Sequence, residues 1–132
     1  MALNIDGTTG ISGVDGSASA PALQGTDSNT GINFASDTVN INTGGVTRAT
    51  VDSSGRLLLG TTTEGHENAD DLTIATSGDT GITIRSGTTA TGNIYFSDAT
   101  SGNSEFDGYI SYSQNTNMLN FGTNQATSMR RS

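Results

Sequence analysis

The apolar residues of this chain occur in short runs in which they alternate with small polar residues. Two such runs are Ile32-Asn33-Phe34 and Val39-Asn40-Ile41, and turns rich in Gly, Asp and Asn separate them from their neighbours. Alternation with a period of two indicates β-strands with one apolar face, and turns at intervals of roughly 8–10 residues are typical of all-β folds. No stretch keeps the apolar spacing of an amphipathic helix. The sequence therefore predicts an all-β fold of short antiparallel strands and hairpins, with little or no helix.

The strongest local β pattern lies near the middle of the chain, from Arg48 to Thr62, with the sequence RATVDSSGRLLLGTT. Asp52 and Gly55 occupy the first and last positions of a tetrapeptide that suits a type I turn. The most apolar run of the sequence, residues 57–59, follows this turn. The two arms are predicted to pair as a hairpin.

The composition is unusually poor in large apolar residues. Gly, Thr, Ser and Asn make up just over half of the chain, whereas Leu, Ile, Val and Phe together supply less than a fifth, and the net charge is −8. Such a chain can hardly cover both faces of a sheet by itself. Oligomerisation is the usual remedy in small proteins without disulfides or metals, and this sequence has no cysteine. We therefore expect an obligate oligomer whose core is shared between chains.

The two halves of the sequence are related. Residues 39–43 match residues 119–123, and the same offset places Val46-Thr47 on Ala126-Thr127. Ile32-Asn33-Phe34 also matches Ile110-Ser111-Tyr112, at an offset two residues smaller. The second copy stops where the first enters its DSSGRLLLGTT hairpin. Repeated β units this short cannot bury their own faces, so they stack along an axis or wind around other chains.

The predicted organisation has four parts. Residues 1–28 form an N-terminal hairpin and a linker or surface loop, with an attachment arm as the alternative; residues 29–63 form the first repeat; residues 64–71 form a charged joint; and residues 72–132 form the second repeat. The strands expected in the second repeat are Leu72-Thr73-Ile74, Ile82-Thr83-Ile84, Ile94-Tyr95-Phe96, Tyr109-Ile110-Ser111-Tyr112 and Met118-Leu119-Asn120-Phe121.

Side-chain chemistry predicts no catalytic, cofactor or metal site. His66 lies between Glu64 and Glu67, but a single histidine on an acidic loop is far more often solvated than bound to a metal. With one His and three Glu, neither a nucleophilic triad nor a glycosidase carboxylate pair is favoured, so we expect no enzyme. Nucleic-acid binding is disfavoured because the chain has no lysine and only five arginines. No apolar run is long enough to insert in a membrane.

The aromatic residues of the second half are most simply explained by packing within or between chains. They occur in the alternating runs as Tyr95, Phe96, Tyr109, Tyr112 and Phe121. The alternative is that an exposed tyrosine contacts a saccharide.

Two segments resemble repeats of tail-fibre and related virion proteins of marine phages, especially cyanophages. The first is GSASAPALQGTDSNTGINFASDTVNINTGGVTRATVDSSGRLLLGTT, residues 16–62. The second is GNIYFSDATSGNSEFDGYISYSQNTNMLNFGTN, residues 92–124. The segment Arg48-Ala49-Thr50-Val51 departs from the usual pattern, since it lacks the second Arg and the Met. We expect the chain to be a complete short protein rather than a piece of a long fibre.

The resemblance implies a homotrimeric, β-prism-like or β-helix-like fibre or spike, intertwined or stacked, and located on the virion. Its partners would be other virion proteins of the tail or capsid, and the alternative function is a glycan-binding adhesin tip that contacts host surface polysaccharide. Leu57 and Leu59 are then expected to face the shared axis, with Leu58 on the opposite face as the more tolerant position. The full set expected in the trimer core is Leu57, Leu59, Ile41, Ile82, Ile84, Phe96, Leu119 and Phe121.

Overall fold

A computed structural model describes residues 4–7, 10–12, 14–124 and 126–131 of the chain. Within those residues the fold is all-β, and the single helical element is a 3₁₀ turn at Asn103–Phe106. The chain divides into two compact units, Met1–Gly81 and Ile82–Ser132. The strands are β1 (Asn4–Asp6), β2 (Gly10–Ser12), β3 (Gly16–Ser17), β4 (Ala20–Pro21), β5 (Leu23–Gln24), β6 (Gly31–Ala35), β7 (Thr38–Thr43), β8 (Val46–Val51), β9 (Leu57–Leu59), β10 (Leu72–Ile74), β11 (Thr91–Phe96), β12 (Gly108–Ser113), β13 (Met118–Thr123) and β14 (Ala126–Arg131).

The first unit contains a six-stranded sheet in the order β10-β9-β8-β7-β6-β5, which we call the large sheet. All neighbours pair antiparallel except β9 and β10, which run parallel. The predicted hairpin from Arg48 to Thr62 is present, as β8 pairs with β9 and Val51 lies opposite Leu57. Two further hairpins, β1-β2 and β3-β4, complete this unit.

The second unit contains a four-stranded antiparallel meander in the order β11-β12-β13-β14, which we call the small sheet. It repeats the β5–β8 part of the large sheet. Val39 pairs with Val51 in the large sheet, and Leu119 pairs with Arg131 in the small one, at the offset seen in the sequence. Both hairpins also carry a bulge at the equivalent place, between Ile41 and Asn42 and between Phe121 and Gly122. The repeat inferred from the sequence is therefore a repeat of strand register.

The turns explain the small mismatch between the two offsets. Ala35 pairs with Thr38 across a two-residue turn, whereas Ser113 pairs with Met118 across a four-residue turn. Both turns end on a residue with left-handed backbone, Asp37 at φ 53° and Asn117 at φ 54°. Asp and Asn tolerate this conformation better than other non-Gly residues. The extra residues are absorbed at the hairpin tip, so the paired strands stay in register.

The sequence predicted a joint between repeats at the charged segment 64–71, but the structure places this segment within the first unit. It belongs to the connection that carries the chain from β9 to the parallel strand β10, and the division between the two units falls later, between Gly81 and Ile82. A parallel pair needs a crossover of about a dozen residues, which residues 60–71 provide. Local charge marked this connection but could not reveal that the next strand returns to the same sheet.

Two further expectations differ from the structure. The segment 13–27 was expected to be a loop, yet it contains the two-residue strands β3, β4 and β5, and β5 extends the large sheet by pairing Leu23 with Ile32. Conversely, Ile82–Ile84 was expected to be a strand, but residues 81–87 form no strand, helix, turn or bend. Alternation alone does not make a strand, because a partner strand must accept its backbone hydrogen bonds. The N-terminal hairpin predicted within residues 1–28 lies partly outside the described residues.

Leu58 is the one hydrophobic residue among those described that counts as fully buried, with 2% of its surface exposed. We predict that Leu58→Ala lowers the free energy of unfolding by about 2–5 kcal/mol, because it removes buried contacts and leaves a cavity. Val14→Ala is the matched control, since Val14 is 40% exposed, and it should cost less than about 1 kcal/mol. Urea unfolding of both variants checks this, and equal effects would contradict the burial of Leu58.

Candidate assembly surface

One face of the large sheet is apolar across all six strands and exposed in the single chain. Register places two rows of side chains on this face, and each row crosses the sheet from strand to strand. At about 4.8 Å between strands, a row that crosses six strands is roughly 24 Å wide and a row that crosses five is roughly 19 Å wide. The first row is Leu23, Ile32, Ile41, Ala49, Leu59 and Ile74, and the second is Phe34, Val39, Val51, Leu57 and Leu72.

The exposure of this face is large for apolar side chains. Ile41 and Leu72 are each 51% exposed, and Val51 is 44% exposed. Monomeric soluble proteins seldom leave a contiguous apolar surface of this extent open to water. We refer to these two rows together as the apolar face of the large sheet.

The opposite face of the large sheet is polar but more deeply buried. Asn42 is 1% exposed, Asn33 7% and Thr50 6%. The amide of Asn42 donates to Asn33 Oδ1 at 2.8 Å, and its oxygen accepts from Thr47 Oγ1 at 2.9 Å. These bonds join β6, β7 and β8, and they satisfy polar groups that would otherwise be costly to bury. Pro21 is also buried and lies beside Gly31 on this side.

The bulge in β8 allows this network to form. It shifts the register by one residue, so that Thr47 lies opposite Asn42 while Ala49 still lies opposite Ile41. A one-residue slip would otherwise turn every following side chain to the other face. The bulge therefore keeps the polar partner of Asn42 on the buried face and Ala49 on the apolar one.

The small sheet repeats the same two-faced arrangement. Its apolar face carries Ile94, Ile110, Phe121 and Met129 in one row, and Phe121 and Met129 are 38% and 61% exposed. Ile84 covers part of this face and would be 3.2 Å from a Cβ added at Gly92. A cleft of about 260 Å³ opens beside it, lined by Ile84, Gly92, Asn93, Ile94, Ile110, Tyr112, Gln114 and Leu119.

Six of the eight residues expected in a shared core lie on these two apolar faces. Ile41, Leu57 and Leu59 share the apolar face of the large sheet. Phe96, Leu119 and Phe121 share the apolar face of the small sheet, as the register shows. Ile82 and Ile84 lie outside any strand, at 67% and 46% exposure. Whether a partner chain covers these residues stays a prediction.

Leu58 was correctly expected on the face opposite Leu57 and Leu59, but it is not the tolerant position that the sequence suggested. It faces the buried polar side and is the least exposed of the three leucines. Sequence reasoning also missed most of the apolar rows, including Phe34, Val51 and Leu72. The alternation along each strand was enough to place them, because every second residue of β6, β8 and β10 must share a face.

The aromatic residues of the second unit separate onto the two faces of the small sheet. Phe96, Tyr112 and Phe121 lie on the apolar face, whereas Tyr95 and Tyr109 lie opposite each other on the reverse face. The Tyr95 ring contacts the Phe106 ring at a centroid distance of 5.9 Å. A shallow cleft of about 250 Å³ on this side is lined by Asn93, Tyr95, Phe106, Tyr109 and Ser111.

A charged cluster secures the turn of the central hairpin. Asp52 accepts hydrogen bonds from the backbone N–H groups of Ser54 and Arg56, at 2.9 and 3.0 Å. The Arg56 side chain donates to Asp52 at 2.7 Å and to Asp70 at 2.9 Å, which ties the β8-β9 turn to the crossover connection. The Arg56 backbone N–H holds the pKa of Asp52 below its ordinary value of 3.8, and the Arg56 side chain acts in the same direction. The hydrogen bond to Asp70, followed by that to Asp52, raises the pKa of Arg56.

The remaining sequence candidates do not assemble into a chemical site. In the described part of the chain, no group of three or more His, Asp or Glu side chains is placed to hold a metal ion. His66 is exposed, and its Nδ1 accepts a hydrogen bond from the backbone of Asn68 at 3.3 Å. Among the residues placed by the structure, no helix is long and apolar enough to span a membrane.

Comparison of the chain with protein families, with curated proteins and with solved structures found no match.

Removing the central amide of the buried polar network should destabilise the fold. We predict that Asn42→Ala lowers the free energy of unfolding by about 1–3 kcal/mol, because Asn33 and Thr47 lose a buried hydrogen-bond partner. Asn115→Ala, in the exposed β12-β13 turn, is the control and should change stability by less than about 0.5 kcal/mol. Denaturant titration measures both, and an Asn42→Ala variant as stable as the control would show that the network contributes nothing.

The Asp52–Arg56 pair should make stability depend on acidity. Because the pKa of Asp52 is lower in the folded chain, the unfolded chain binds more protons near pH 3.8 and below. The stabilisation is therefore complete above that pH and is lost as the pH falls through the folded-state pKa. Asp52→Asn should flatten the acid limb of a plot of unfolding midpoint against pH. Asp98→Asn removes a carboxyl outside the cluster and is the control; identical acid limbs for Asp52→Asn and the natural chain would contradict the prediction.

Proposed function

We propose that this protein is a structural component of a phage virion, in which three copies form a short fibre or spike attached to the tail or capsid. The apolar face of each sheet contacts other copies of the chain in this assembly. The observation that carries the proposal is the apolar face of the large sheet, which crosses six strands and is open in the single chain. The resemblance of residues 16–62 and 92–124 to phage fibre repeats supports the choice of a virion protein.

Further copies of the same chain fit the apolar face for a physical reason. The polar side of the large sheet already has its hydrogen-bond partners within the chain. The surface that would gain stability from a partner is therefore the apolar side, which stays exposed to water. Burial of apolar surface contributes about 25 cal/mol per Å², and several aliphatic side chains with 40–50% exposure leave that stabilisation unrealised. Around a three-fold axis each copy can bring the same apolar face to the centre, and the contacts between neighbouring copies are heterologous contacts that close into a ring.

Substitutions on the two faces test the assembly. In sedimentation experiments the natural chain should have three times the chain mass of 13.4 kDa. Leu57→Asp and Phe121→Asp should each shift the protein toward single chains, because a carboxylate would be buried without a partner. Ser101→Asp, in an exposed loop, is the control and should remain trimeric. A natural chain that stays folded and monomeric at high concentration would overturn the trimer.

The location of the protein tests its role separately. Immunogold labelling of intact phage particles should place the protein at the tail or on the capsid. Its detection in infected cells but not on purified particles would overturn the virion role, whatever the oligomeric state.

A glycan-binding adhesin tip is the second candidate, and the cleft of Tyr95, Phe106 and Tyr109 favours it. Aromatic rings beside an amide and a hydroxyl, here Asn93 and Ser111, are groups that stack on and hydrogen-bond to sugars. Specific binding on a glycan array that disappears in Tyr95→Ala would favour the adhesin over a purely structural role.

A further inference from the structure

Residues 82–85 have the sequence of a β-strand but no strand partner. Ile82, Thr83 and Ile84 alternate as a strand with one apolar face would, yet the structure assigns the segment to no sheet. Within the described part of the chain, no backbone hydrogen bond involves residues 81–86. Unpaired backbone groups next to exposed isoleucines are the features of a strand that can add to the edge of another sheet.

Among the residues that the structure places, no strand pairs with the outer edge of β10 in the large sheet. Leu57 N donates to Asp71 O at 2.8 Å and Ala75 N donates to Leu59 O at 3.0 Å, so residues 71, 73 and 75 direct their backbone groups toward β9. Leu72 and Ile74 therefore direct theirs away from β9, and β10 is the last strand at this end of the sheet. Two backbone donors and two acceptors are thus available along this edge.

The two segments match when they are set antiparallel. Thr83 opposite Thr73 places Ile84 opposite Leu72 and Ile82 opposite Ile74. Both isoleucines then extend the two rows of the apolar face, while the threonines lie on the polar face, as the alternation of a strand requires.

Charge favours this orientation over the parallel one. The antiparallel register sets Arg85 opposite Asp71, and both residues are exposed. In the part of the chain that the structure describes, neither residue forms an ion pair. Opposite charges on directly opposed strands stabilise pairing.

We propose that residues 82–85 of one copy add as an antiparallel seventh strand to β10 of a neighbouring copy. This inference rests on the proposed assembly of identical chains and specifies how they interlock: through backbone hydrogen bonds as well as apolar contact. The occupant is a second copy because the added strand continues the apolar rows that the assembly covers, and because Arg85 of the same sequence complements Asp71.

Disulfide trapping tests the pairing directly, since the natural chain has no cysteine. Thr73→Cys chains and Thr83→Cys chains are mixed while unfolded, refolded together and oxidised. Opposed residues at a non-hydrogen-bonded antiparallel position have Cα atoms about 4.5 Å apart, within the range of a disulfide. A covalent two-chain product is expected. When the Thr83→Cys chain is replaced by a Ser101→Cys chain, the yield of the two-chain product should fall about tenfold. A tenfold change corresponds to about 1.4 kcal/mol.

A chain that carries both cysteines distinguishes pairing between copies from pairing within one. At high dilution the proposal predicts little internal cross-link. If the double variant forms an internal disulfide while the mixed single variants form none, residues 82–85 pair with β10 of their own chain and the proposal is overturned.

Proline substitutions test the backbone bonds. In the proposed register the N–H of Ile82 points toward β10 and that of Thr83 points away, so Ile82→Pro should weaken assembly about tenfold while Thr83→Pro should not. Ile82→Val controls for the side chain. Asp71→Arg and Arg85→Asp should each weaken assembly, and the double exchange should restore it. Equal effects of the two prolines, or no rescue by the double exchange, would contradict the antiparallel register.

The outcome separates this inference from the proposed function. If Leu57→Asp dissociates the assembly but the proline and cysteine variants behave like their controls, the shared apolar core stands and the strand addition is wrong. If the natural chain is monomeric, both are wrong.

Discussion

The hydrogen bonds of the Asn42 side chain set the orientation of the large sheet. They join three strands on the face where Asn33, Asn42 and Thr50 are buried, and the bulge in β8 supplies the partner for the amide oxygen. Since side chains alternate along each strand, committing the asparagines to the covered side forces the aliphatic residues to the other side. The sheet is thus polar where the chain covers it and apolar where it does not. That inversion of the usual arrangement leaves the aliphatic side chains without cover in the single chain.

The small sheet has the same strand pairing as the equivalent part of the large sheet but different side chains. In the large sheet Gly31 lies opposite Asn42, whereas at the equivalent pair in the small sheet Tyr109 lies opposite Gly122. A Cβ at Gly122 would collide with the Tyr109 ring, so the glycine makes room for the ring much as Gly31 leaves space on its own face. The larger residue of the pair lies on β7 in the large sheet, where it is Asn42, and on β12 in the small sheet, where it is Tyr109. An aromatic ring thus takes the place of the amide network. Register and bulge position are therefore conserved between the sheets while side-chain volume is redistributed.

Sequence alone was sufficient where the structure depends on local pattern. Alternation located β6, β7, β8, β12 and β13, and the Asp52–Gly55 tetrapeptide located the central turn. It failed where the structure depends on partners distant in the sequence. Nothing local distinguishes Leu72–Ile74, which has a parallel neighbour in β9, from Ile82–Ile84, which has no strand neighbour among the described residues. The buried asparagines were missed for a related reason, because an isolated Asn in a strand is expected at the surface until register brings Asn33 and Thr47 beside Asn42.

The two hairpin tips of unequal length have a practical consequence for the freedom of this fold to vary. Adding two residues between β12 and β13 changes no pairing beyond the tip, and the left-handed Asp37 or Asn117 closes either version. Insertions and substitutions can thus accumulate at the ends of the hairpins while the strand pairing and the two faces of each sheet stay the same. The tips at residues 36–37 and 114–117 are accordingly the places where a foreign peptide could be displayed without disturbing the strand pairing.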